Sequence, residues 1–222
     1  ALKSGKAVSA GTHPAKTRED WWYPSYVESV CPGLPNWKAL KKCAPKFSRG
    51  NGVKGVYLGG PWEKPDKARI RALGLNFDIV RVKKSDDLWV ELAKSFDKKE
   101  PIVLFNWTPN WVEAKYKGKF IEFPSWHKDC EEKASWGHSK KWKYDCGNPK
   151  SGWLKKLVWS GLGEFHPCAY KIVENFSLTN KMIAEAANFV DGEKMKIKKA
   201  ANRWIQKYRK NIDSWVPQEC KK

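Results

Sequence analysis

The sequence predicts an α/β fold, and three observations carry that prediction. Val53–Leu58 and Phe77–Val82 read as short strands, and Pro101–Phe105 as a continuous apolar strand of the kind buried in a parallel sheet. Between them lie two segments with helix signals. Strand–helix–strand–helix–strand is the signature of a βαβ sheet.

Each element has its own local warrant. The turn Gly59-Gly60-Pro61 ends the first strand. Pro65 and Asp66 then open a helix that runs to Leu73, and Gly74 stops it. Ser85-Asp86-Asp87 is expected to cap a second helix, whose buried face is Leu88, Trp89, Leu92, Ala93 and Phe96 at 3–4 spacing. After Phe120–Phe123 comes a polar, Trp-rich stretch from Pro124 to Gly152. An unstructured loop of that length is unusual in a compact domain. Leu154–Trp159 is a further strand candidate. The last third reads as helix, with Met195, Ile197, Ala200, Ala201, Trp204, Ile205, Tyr208, Ile212 and Trp215 on one face.

The chain has 222 residues, enough for one large domain or two lobes of about 100 each. No run of about 18 apolar residues is present, so no membrane span is expected. The start, Ala1-Leu2-Lys3-Ser4-Gly5-Lys6, lacks the apolar centre of a signal peptide and an initiator Met, which reads as a processed, trimmed or partial chain. Net charge is +19. Such a balance raises nucleic acid or another polyanion as the alternative partner. The basic residues are scattered, however, and mostly Lys, as on a solvated surface. Exposed aromatics of a single-strand binder need Lys or Arg beside them. Here the candidate Trp residues sit beside Pro, Gly, Asn and Glu, so no nucleic acid is expected.

The six cysteines are Cys31, Cys43, Cys130, Cys146, Cys168 and Cys220. Fifteen connectivities are possible. Local pairing suggests Cys31 with Cys43 and Cys130 with Cys146, the second stapling the stretch 124–149, and leaves Cys168 with Cys220. The even count favours an oxidising compartment. His127, Cys130, His138 and Cys146 match no common zinc spacing, so a disulfide with two surface histidines is the better reading and no metal is expected. No phosphate loop, nucleophile elbow or other catalytic constellation occurs, and no cofactor is implied.

Fourteen tryptophans far exceed ordinary usage. Most must pack a core, but Trp62 and Trp107 fall next to turns at predicted strand ends. Ligands of open α/β sheets bind outside the carboxyl ends of strands. Converging Trp faces suit a methylated ammonium, which donates no hydrogen bond and is attracted by the ring quadrupole. The helix start near Glu63-Lys64-Pro65 adds backbone N–H groups and a positive dipole end that suit a carboxylate.

Phe105-Asn106-Trp107-Thr108-Pro109-Asn110-Trp111 resembles the Trp-Thr-Pro-x-Trp segment of substrate-binding proteins of glycine betaine, proline betaine and choline ABC importers. Asp20-Trp21-Trp22-Tyr23-Pro24 and Asn211–Val216 also resemble family segments. The two-cysteine loop followed by Gly152-Trp153 looks like the choline and trimethylamine N-oxide branch. The resemblance implies a two-lobed clamp of the periplasmic-binding-protein type, each lobe a sheet flanked by helices, closing by hinge motion. Residues 1–24 and 150–222 would form one lobe and 25–149 the other.

In that family Trp107 would be one cage wall and Trp62, after its Gly-rich turn, a second. The backbone of Glu63 and Lys64 would take a ligand carboxylate. Trp22 and Trp153 are candidates for the pocket or for packing near the crossovers, and Trp111 for a structural role. The family turn usually carries two cysteines around its Trp and this one has none. Glu63 stands where a small residue is usual, as a ligand counter-ion or as a helix-start charge. The resemblance implies an importer component, not an enzyme. Its partners would be a methylated ammonium or sulfonium ligand, a membrane permease and an N-terminal segment of the same protein preceding Ala1. Its place would be the periplasm, after removal of a signal peptide.

Overall fold

A computed structural model describes residues 2–50 and 52–221. The chain forms two compact units, unit 1 comprising Ala1–Thr17, Thr108–Lys115 and Ser151–Lys222, and unit 2 comprising Arg18–Trp107 and Tyr116–Lys150. Residues 18–24 therefore belong with unit 2 and 108–115 with unit 1, which differs from the division the sequence suggested.

Unit 2 is built on a sheet with the order β3-β2-β4-β1-β5. Its strands are the last part of β1 (Ala7–Pro24), β2 (Gly55–Gly59), β3 (Phe77–Arg81), β4 (Val103–Thr108) and β5 (Gly118–Phe120). Strand β2 runs parallel to both β3 and β4, with Tyr57 opposite Ile79 and Val103. The βαβ reading holds for these three strands. Strand β5 lies antiparallel to β1, with Trp22 opposite Phe120. Helices α1 (Trp37–Lys42), α2 (Asp66–Leu73) and α3 (Ser85–Lys98) accompany the sheet. Gly74 ends α2 in the left-handed region at φ 60°, where a side chain would be strained.

Two boundaries differ from expectation. The cap of α3 is Lys84, whose N–H donates to Asp87 Oδ2 at 3.1 Å, so Ser85 is already helical. Strand β4 continues to Thr108, which puts Trp107 inside the strand rather than on a loop after it.

Burial explains why unit 2 holds together. Trp21 stacks on Tyr57 at 3.8 Å and meets Phe77 and Phe123 edge-on. The Trp21 indole N–H donates to Asp66 at 2.9 Å. A buried charge is tolerable only when it is paired and hydrogen-bonded. Asp20 and Arg69 meet that condition at 2.9 Å, with Arg69 also donating to the Cys146 carbonyl and the Asn148 side chain. The Asn148 N–H closes the set on Asp20. The far end of the long polar stretch is thereby docked on the sheet. Within that stretch α5 (Lys128–Glu132) is short. His127 stacks on Trp136 and His138 meets Trp37 edge-on. Among the described residues no group of His, Cys, Asp or Glu could hold a metal ion.

Unit 1 contains the first part of β1, paired antiparallel with β6 (Gly152–Trp159) from Ala7↔Trp159 to Thr17↔Gly152, with two irregularities between Ser9 and Lys16. Its helices are α4 (Val112–Lys115), α6 (Leu162–Phe165), α7 (Pro167–Asn175), α8 (Asn180–Ala187), α9 (Ile197–Lys207) and α10 (Arg209–Trp215). The long terminal helix expected from the apolar face is interrupted at Tyr208, which separates α9 from α10. Asn180 opens α8 and ties two distant pieces of chain: it accepts from the Lys16 N–H and donates to the Lys16 carbonyl and to Thr108 Oγ1, all at 2.7–2.9 Å.

Disulfides join Cys31 to Cys43, Cys130 to Cys146 and Cys168 to Cys220. No helix among the described residues is long and apolar enough to cross a membrane.

Candidate functional site

The candidate site lies in unit 2, at the carboxyl ends of β2 and β4. Side chains two apart on a strand share a face. Phe105 and Trp107 of β4 obey that rule, with ring centroids 6.0 Å apart. Beyond β2 the chain turns through Gly59-Gly60-Pro61 and brings Trp62 back over them. The Trp62 ring stands perpendicular to Trp107 at 5.9 Å and lies 5.5 Å from Phe105. Behind Trp107 is Trp89 of α3, centroid to centroid 5.4 Å.

The turn that carries Trp62 is held from β3. Arg81 donates to the Trp62 carbonyl, and its guanidinium lies 3.3 Å from the Glu63 carboxylate. Gly60 is required by close approach, because a Cβ there would collide with the six-membered ring of Trp62. Trp62 remains 42% exposed.

Glu19, Trp62, Lys64, Phe105 and Trp107 line a cavity of about 290 Å³. That is at or below the small end of ligand pockets, so it suits a ligand smaller than a typical drug. Two of the lining groups are charged. Lys64 Nζ lies 2.5 Å from Glu19 Oε2 and 5.4 Å from the centroid of Phe105. The wall is thus aromatic, with one cation and one anion at its edge. Beneath it, Asp66 sits buried in the first turn of α2, and burial raises its pKa against the opposing effect of the Trp21 hydrogen bond and of Arg69.

Of the expected site residues, Trp62, Lys64 and Trp107 come together here. Glu63 points away: its side chain is 91% exposed and pairs with Arg81. Glu63 and Lys64 also lie ahead of Pro65, the cap of α2, so their N–H groups belong to the turn and not to the helix. Trp22 does not line this cavity, being buried against Gly118 of β5. Trp153 belongs to unit 1, exposed on β6 with the Lys155 ammonium 4.2 Å over its ring.

Phe105 and Glu19 were not singled out by sequence. Phe105 had a signal, the two-residue step to Trp107. Glu19 had none, because β1 lacks the alternation that marks a strand: its burial is irregular to Glu19 and then continuous from Asp20 to Pro24.

Residues 1–207 match the family described as the substrate-binding domain of the ABC-type glycine betaine transport system. The chain belongs to this family. Among relatives, it is 36% identical over 228 residues to the trimethylamine N-oxide-binding protein of Pelagibacter ubique (strain HTCC1062), covering 98% of this chain and 69% of that protein. Among solved structures, the fold resembles the glycine betaine/L-proline-binding protein ProX of Borrelia burgdorferi, with a TM-score of 0.58 at 22% identity over 98% of this chain and 72% of that one. Lactococcal OpuAC, solved closed with glycine betaine, gives 0.56 at 21% identity over 97% and 74%. Members of the OpuAC family are transport proteins, and this chain is a substrate-binding protein of an ABC-type system, not an enzyme.

Proposed function

We propose that this OpuAC-family chain captures a methylated onium compound in the cavity of unit 2 and delivers it to the permease of an ABC importer. The observation that carries the proposal is the cluster of Trp62, Phe105 and Trp107 around a small cavity edged by Lys64 and Glu19. A quaternary or methylated centre offers no donor for a hydrogen bond, so ring faces are its best partners. The relative that binds trimethylamine N-oxide and the structure holding glycine betaine support this ligand class. Glycine betaine, proline betaine, choline, dimethylsulfoniopropionate and trimethylamine N-oxide form the panel. The protein works outside the membrane, in the periplasm, after removal of a signal peptide.

Tryptophan fluorescence titration with that panel tests the reading, since two indoles line the cavity. A saturable response that persists at high salt is expected. Trp107→Ala should weaken it by at least about 1–2 kcal/mol, the range for a desolvated cation–π contact. A chain that answers none of the panel, or a Trp107→Ala variant of unchanged affinity, would remove the proposal. Binding to a polyanion, steeply weakened by salt, would favour the alternative suggested by the +19 charge.

A further inference from the structure

The cavity already contains a cation of its own. Lys64 places its ammonium within reach of the Phe105 ring and against the Glu19 carboxylate, and all three line the same space. An onium ligand seeks the same two partners, an aromatic face and a negative charge. It must therefore displace the Lys64 ammonium, which hangs on a flexible stem with its side chain 30% exposed and can swing away.

We infer that the Glu19–Lys64 pair is an exchangeable ion pair that selects ligands carrying both charges, betaines and N-oxides, over onium ligands of net positive charge such as choline. The inference rests on the reading of this cavity as an onium site. Its logic is a count of partners. Before binding, Glu19 holds Lys64. When a betaine enters, its onium group takes the rings and Glu19, and its carboxylate takes the released Lys64. Every charge keeps a partner. An N-oxide does the same over a shorter span, with its oxygen one bond from the nitrogen. When choline enters, Glu19 passes to the ligand and Lys64 is left unpaired beside a second cation. Like charges at close range repel, and the low-dielectric ring wall on one side lessens the screening.

The test is the ratio of affinities for glycine betaine and choline, measured by calorimetry in the parent chain and in Lys64→Met, Lys64→Arg and Glu19→Gln. A ratio within one variant cancels any shared loss of folding. Lys64→Met keeps the stem and removes the charge. It should shift the ratio toward choline by about 5-fold, the upper end for a solvent-screened ion pair. Lys64→Arg keeps the charge and should hold the parental preference. Glu19→Gln leaves the edge net positive and should shift the ratio the other way, toward glycine betaine. Opposite shifts from the two neutralising variants would establish the exchange, since a merely damaged cavity moves both ligands together. Should Lys64→Met bind neither ligand, the Glu19→Gln ratio decides. An unchanged ratio in both, with Trp107→Ala still weakening every ligand, would overturn the exchange and leave the onium site standing. A parent chain that binds neither ligand would overturn both.

Discussion

Unit 2 and unit 1 solve the problem of cohesion differently. Every one of the largest fully buried side chains, from Trp21, Tyr23 and Tyr57 to Val27 and Val103, belongs to unit 2. In unit 1, Trp153, Leu157, Trp159, Phe165 and Ile197 are each at least half exposed. Unit 2 rests on apolar burial behind a five-stranded sheet. Unit 1 relies far more on ties between chain segments: the Cys168–Cys220 bond across 52 residues, and the three hydrogen bonds of Asn180. The lesson concerns precision. The aromatic wall stands in the unit whose strands are fixed by packing, and a binding site is only as accurate as its support.

The largest effects should come from breaking each unit by its own means. Trp21→Ala removes a fully buried ring from unit 2 and should cost about 3–5 kcal/mol, with the Asp66 hydrogen bond lost as well. Denaturant unfolding followed by the Trp89 and Trp107 environment would read it. A loss below about 1 kcal/mol would contradict the packing account. In unit 1, replacing Cys168 and Cys220 by Ser should cost about 4 kcal/mol in the chain-entropy account. Hydrogen exchange should then rise in α7 and α10 while β2 and β4 stay protected. Equal loosening of both units would erase the distinction. Graded reduction sharpens it further. Cys31 and Cys130 are fully buried, whereas Cys168 is exposed, so thiol alkylation should trap Cys168 and Cys220 first.

A smaller effect, about 1–3 kcal/mol, is expected for Asn180→Ala, because it strips the Lys16 backbone of both its partners there. Faster exchange at the Lys16 amide is the readout. The smallest is a pH effect in unit 2. Burial raises the Asp66 pKa above its ordinary 3.8, so the folded chain holds that proton more tightly than the unfolded one. That contribution is complete below the unfolded pKa and is lost as pH rises through the folded value. Asp66→Asn has nothing to lose in that window. Its Tm relative to the parent should become steadily more favourable between about pH 4 and pH 7. A flat difference would mean that Trp21 and Arg69 fully offset the burial.

Much of unit 2 was legible from sequence because its signals are local. The apolar runs of β2, β3 and β4, the Pro-Asp start of α2 and the amphipathic period of α3 each need only neighbours along the chain. Strand β1 was not legible. Its 18 residues change surroundings along their length, pairing with β6 at one end and β5 at the other, and irregularities between Ser9 and Lys16 break the alternation. The same cause hid Glu19. In the site, the Trp-Thr-Pro segment and the Gly-rich turn pointed to Trp107 and Trp62. Sequence could not say that Arg81 would draw Glu63 outward while Lys64 turned toward the rings. Sidedness within a turn is set by partners far along the chain.

Gly60 has a consequence for anyone who would re-engineer this cavity. Every possible replacement adds at least a Cβ, and that atom has nowhere to go while the Trp62 ring holds its place. A mutational library therefore has one direction of travel at this position, toward a displaced wall, whatever ligand is selected for. Positions 19 and 64 are different: their side chains reach the cavity from its edge and can change charge or length without moving a ring. Diversity spent at the edge samples new ligands, and diversity spent at Gly60 samples only ways of losing the site.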